Sequence, residues 1–160
     1  MSYRLKEINN KMAHLRTFFA SQDLQINENN VKTVLTKFLE LKTVMGKIHG
    51  NIHFLARYAA YSFLKEKHGV EIDLDKPEGQ SGLDIEEEEI VGEIKTTIPY
   101  HDNDFGAKQR DGITEDLERL EESFVKHKYF FVIDDETERI LRQKYNKKYP
   151  SVAIINLLKE

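Results

Sequence analysis

The spacing of apolar residues first changes near Gly69, and that change limits what the chain can fold into. Before it, apolar residues recur at three- and four-residue steps, the mark of helices buried along one face. Leu5, Ile8, Met12, Leu15 and Phe19 place a helix over about 3–20, and the Asn- and Asp-rich stretch 21–30 reads as a loop. Val31, Val34, Leu35, Phe38, Leu41 and Met45 place a second helix over about 30–48, with Gly46 and Gly50 bending the chain near its end. A third, over about 51–67, carries Ile52, Leu55, Ala56, Ala59, Ala60, Phe63 and Leu64. Its alanines predict close packing against a sheet, and Gly69 is a natural helix stop.

After Gly69 the residues alternate. Val70 to Leu74 reads as a strand, and 76–81 as a turn. Residues 83–86 and 89–98 read as a hairpin joined through glutamates, followed by a loop over 99–105. A helix over about 107–125 carries Ile113, Leu117, Leu120 and Phe124 on one face; a strand at 129–133, a helix at 136–145 and a strand at 152–157 follow. From Asn51 the order is α-β-β-β-α-β-α-β, which predicts an α/β fold: a mixed central sheet flanked by helices. The expected organisation is an N-terminal helical extension, 1–50, and an α/β domain, 51–160.

Composition excludes several classes. The chain has no cysteine, which rules out disulfides and thiolate zinc sites and favours a cytoplasmic setting. No apolar run has signal-peptide or membrane-spanning length, so no membrane partner is expected. A net charge of −4 argues against coating nucleic acid through bulk positive charge. The acidity is local, in 86–89 and 114–122, while basic residues gather in 139–148 and along the N-terminal helices.

The chemistry is concentrated in the hairpin. Asp84, Glu93 and Lys95 form the pattern D-x8-E-x-K. Residues two apart on a strand share a face, so Glu93 and Lys95 project together while Ile90, Gly92 and Ile94 point the other way. Asp84, on the neighbouring strand, can lie across from Glu93. Two hard carboxylates suit Mg²⁺, which keeps most of its water shell, and Mn²⁺ is expected to substitute. The backbone carbonyl of Ile94 is a further candidate oxygen ligand. Lys95 would counter charge developing on a phosphate. Against this stands the plain reading of a salt-bridged strand face; Glu40 and Lys42 repeat the E-x-K spacing on a helix.

These residues resemble the PD-(D/E)XK nuclease superfamily, which includes type II restriction endonucleases and Holliday-junction resolvases. Asp84 matches its acidic motif residue, with Leu83 where the family has proline, and Glu93 and Lys95 match its E-x-K. The resemblance spans about 51–158 and implies an αβββαβ restriction-endonuclease-like core with an extra helix and strand. It further implies a Mg²⁺-dependent DNA endonuclease, foremost of the restriction type. The alternatives are a structure-selective repair or junction nuclease, and an inactive module that binds DNA or protein. DNA is then the partner, and a homodimer is expected because two-fold symmetry sets one site on each strand.

Secondary candidates surround the motif. Gln109 sits where some relatives carry a supporting glutamine, and Lys108 and Arg110 beside it are candidate phosphate contacts; all three also suit an exposed helix start. Relatives often carry an acidic residue on the first core helix, where this chain has only Glu66, near the end. Asn51, His53 and Arg57 on that helix are candidates to face the site in its place, although a lone helical histidine reads more readily as structural. Glu86 to Glu89 read as a solvated turn, with Glu86 a remote candidate for a second metal. Asp134 and Asp135, after an apolar strand, could hold a metal, but 135–137 reads better as a helix N-cap.

Overall fold

The computed structural model describes residues 3–20, 35–37, 39, 41–42, 45–46, 48–71, 82–99 and 104–159. The chain divides into two compact units, 1–51 and 52–160. In the first, α1 (Tyr3–Ala20) keeps Leu5, Ile8 and Leu15 half-buried and leaves Met12 exposed. The Lys11 ammonium donates to Asn51 Oδ1 at 2.8 Å and pairs with Glu7 at 3.2 Å. The described residues from 35 to 45 are helical, and the rest of the second expected helix lies outside the described residues.

Helix α2 (Ile48–His68) starts in the first unit and continues into the second. Gly50 is therefore inside a helix, and the turn falls at Gly46. Gly69 ends α2 in the left-handed region, at φ 71°, where its N–H reaches the Lys65 carbonyl at 2.8 Å. Only glycine enters that conformation without steric cost. Residues 72–74 of the strand expected at 70–74 lie outside the described residues; Val70 packs against the core.

The second unit is α/β, with a four-stranded mixed sheet in the order β1 (Ile85–Glu86), β2 (Ile90–Lys95), β3 (His127–Val132), β4 (Val152–Asn156). β1 runs antiparallel to β2, and β2, β3 and β4 are mutually parallel. Parallel neighbours need crossovers, supplied by α3 (Ala107–Glu122) and α4 (Asp135–Lys144). Each sheet face carries its own apolar cluster. Ala56, Ala60 and Leu64 of α2 pack on Ile85, Ile90, Ile94, Tyr129 and Phe131. Ile113, Leu117 and Leu120 of α3, with Ile140 and Leu141 of α4, pack on Val91, Phe130, Val132, Val152 and Ile154. Burial on both faces explains why β3 reads as an unbroken apolar run.

Several boundaries moved for local reasons. α3 stops at Glu122 because Ser123 turns extended and the chain must reach β3 at His127. Phe124, expected on the apolar face of α3, is consequently fully exposed, and Val125 packs against the core instead. The cap of α4 is Asp134, whose Oδ2 accepts the Thr137 N–H at 2.7 Å, so that carboxylate is committed to the helix start. Arg142 of α4 donates to the carbonyl of Ile154 in β4 at 2.7 Å and to Glu138 at 2.8 Å. No helix among the described residues is long and apolar enough to cross a membrane.

Gly92 is a close-packed point of the hairpin. A Cβ there would meet Phe131 Cε2 at 3.2 Å and Ile85 Cδ1 at 3.3 Å. Gly92→Val should destabilise the protein by ~1–3 kcal/mol through overpacking, read as a lower urea midpoint at unchanged m-value.

Candidate functional site

The hairpin register sets the site. Glu87 and Ile90 exchange backbone hydrogen bonds, at 2.8 and 3.4 Å, around Glu88 and Glu89, so the glutamates form the turn. Ile85 then pairs with Gly92, which brings Asp84 alongside Glu93. The Asp84 N–H donates to Glu93 Oε2 at 3.3 Å, and Asp84 Oδ2 accepts the Ile94 N–H at 2.9 Å. The N–H and C=O of one residue in an extended strand point to the same side, so the Ile94 carbonyl faces the edge that Asp84 occupies.

The turn before Asp84 is fixed separately. Gly82 has φ 129°, and Glu86 Oε1 accepts the Leu83 N–H at 2.9 Å. Glu86 is thus engaged in holding this turn. A side chain at position 82 would come within 2.6 Å of Glu86 Oε1.

Helices on both sides contribute charge. From α2, His53 Nε2 lies 3.3 Å from Asp84 Oδ2, and Arg57 is buried. From α3, Asp116 pairs with the Lys95 ammonium through Oδ2 and with Arg119 through Oδ1. Arg119 also donates to the Gly82 carbonyl at 3.4 Å. Glu93 and Asp116 are 9% and 5% exposed, so these two carboxylates, with half-buried Asp84 beside Glu93, interact where water screens them poorly.

The two motif carboxylates respond in opposite directions. Burial, then the charges of Asp84 and Asp116, push Glu93 up to about 7, against the opposing pull of Lys95. Burial alone would raise Asp84 too, but His53, the Ile94 N–H and Arg57 outweigh it and hold Asp84 below the usual range. Because the folded state raises Glu93 from 4.5 to about 7, it binds the extra proton in that window. Stability therefore falls as pH rises from 4.5 to 7, by roughly 3 kcal/mol, and is level above it as far as Glu93 is concerned. Glu93→Gln should abolish this slope, measured as urea stability across pH 4–8 (roughly the span of the two values).

The other sequence candidates sit apart. Gln109 Oε1 accepts the Gly106 N–H at 3.1 Å and so caps α3. Arg110 pairs with Asp104 at 2.7 Å, and Lys108 is exposed on the same first turn. The described contacts of these three stay at the start of α3. Two residues that the sequence reading did not single out, Asp116 and Arg119, lie at the site itself. The signal for Asp116 was its helical phase: it shares the buried face of Ile113, Leu117 and Leu120.

Among the described residues no group of three or more acidic or imidazole side chains is arranged to enclose a metal ion. Mg²⁺ does not require one, since it binds through one or two carboxylates and retains water. Asp84, Glu93 and the Ile94 carbonyl offer an all-oxygen donor set, and the burial and carboxylate repulsion that raise Glu93 are costs a bound cation would offset. No protein-family model, curated protein or solved structure matches this chain.

Proposed function

We propose that this protein is a Mg²⁺-dependent DNA endonuclease of the restriction type, built on a restriction-endonuclease-like core. The observation that carries the reading is the placement of Asp84 beside Glu93, with Lys95 on the same strand, where burial and the neighbouring carboxylates push Glu93 up to about 7. Asp84, Glu93 and the Ile94 carbonyl would hold the cation. Bound there, Mg²⁺ would supply positive charge against the scissile phosphate.

The remaining work falls to the chain. The Ile94 N–H and the Glu93–Asp84 backbone contact orient the two carboxylates. Lys95 is long enough to place its ammonium near a phosphate oxygen and stabilise the charge that develops during cleavage. A restriction enzyme acts on both strands, and a homodimer supplies two sites related by symmetry.

Purified protein incubated with supercoiled plasmid should nick and linearise it with Mg²⁺ or Mn²⁺ and leave it intact with EDTA. Discrete fragments support the restriction assignment, whereas cutting confined to branched substrates would replace it with a junction-selective one. Absence of any metal-dependent cleavage would sink the reading. Lys95→Ala should lower the single-turnover rate by ~100-fold or more with little loss of Mg²⁺ affinity, because its contact is made in the chemical step. Proton and cation compete for Glu93, so the rate should rise about tenfold per pH unit below 7 and level off above it.

A further inference from the structure

Glu93 and Lys95 share one strand face, and with nothing else near them the ammonium would fold onto its own neighbour. It does not. Its partner is Asp116, which comes from α3 and is almost fully buried. We propose that Asp116 is a positioning residue: by taking the Lys95 ammonium it keeps Glu93 clear of an ion pair and leaves that carboxylate to the cation. The inference rests on reading Asp84 and Glu93 as cation ligands.

Three features support it. First, Asp116 has a second cationic partner in Arg119, so the buried carboxylate keeps compensation on one oxygen while the other takes Lys95. Second, Arg119 reaches the Gly82 carbonyl in the turn before Asp84, so one short chain of contacts fixes both the lysine and the loop carrying the other ligand. Third, one ammonium stands among three carboxylates, and its placement decides whether Glu93 gains an ion-pair partner. Placed on Asp116, it leaves Glu93 with the burial and repulsion described above. An uncharged residue at 116 would free the lysine to close on Glu93 and compete with the cation.

The test is the effect of Lys95→Met on Mn²⁺ affinity, measured by calorimetry in two backgrounds. In the wild type the lysine is engaged, so its removal should change affinity by less than about threefold; in Asp116→Asn its removal should tighten binding by about tenfold, a size that coupled neighbours show. Asp116→Glu should behave as wild type. If Lys95→Met has the same effect in both backgrounds, Asp116 acts only as a background charge and the proposal is overturned. Should Asp116→Asn not fold, by circular dichroism, Asp116→Ser carries the same expectation and the same overturning result. A wild-type protein that binds no Mn²⁺ would overturn the metal reading and this inference together; binding without the background difference overturns this inference alone.

Discussion

Asp84→Ala and Glu93→Ala should each lower Mg²⁺-dependent cleavage by ~1000-fold or more, because on the proposed reading each removes one of the two carboxylates that would hold the cation against the scissile phosphate. Their effects on stability should differ. Carboxylate crowding alone would lead one to expect that removing either relieves repulsion. Asp84, however, is held below its ordinary range by favourable partners, and its Oδ2 accepts the Ile94 N–H. Alanine there leaves that N–H without its acceptor, at a cost of ~1–3 kcal/mol. Glu93 is held against its charge, so Glu93→Ala should be as stable as the wild type or more so above pH 7. Plasmid cleavage together with urea unfolding at pH 8 (about one unit above the Glu93 value, where its charge is established) checks both. Wild-type cleavage in either variant would remove that residue from the site.

Phe130→Ala should be among the most damaging changes to the fold, destabilising it by ~3–5 kcal/mol. The side chain is 0% exposed, at the middle of β3. It pairs in register with Glu93 on one side and Ile154 on the other, and packs in the cluster that α3 and α4 complete. Truncation therefore opens a cavity under the strand that carries the motif. A loss below about 1 kcal/mol in urea unfolding would contradict the packing described, since only collapse of the site could keep the cost so small.

The motif was legible because strand geometry is simple. With a period of two, Glu93 and Lys95 had to share a face, and Asp84 needed only a short hairpin to meet them. From residue 85 onward the order of strands and helices was readable from the switch between periods of two and about 3.6, and the small side chains of Ala56 and Ala60 marked the helix face that packs on the sheet. What escaped was whatever depended on tertiary neighbours. Asp116 lies in TEDLERLEE, which reads as a solvated acidic stretch unless each residue's helical phase is traced. His53 and Arg57 were candidates to face the site and continue the phase of Ala56, Ala60 and Leu64, yet choosing that role over a structural one requires knowing that Asp84 ends beside them. Phe124 fits the apolar face of α3 by spacing, and only the start of β3 at His127 ends the helix before it.

The two margins of the sheet limit how copies of this protein can associate. β1 is two residues long, too short to template another strand. At the opposite margin, Arg142 occupies the Ile154 carbonyl that an incoming strand would need. Strand addition at β4 would have to displace a guanidinium that Glu138 also holds, so among the described residues both sheet margins disfavour strand addition while α4 stays folded. If the protein works as the symmetric pair proposed above, that pair would assemble through helices and loops. Conditions that fray α4 should convert an otherwise well-behaved protein into one that aggregates through β4.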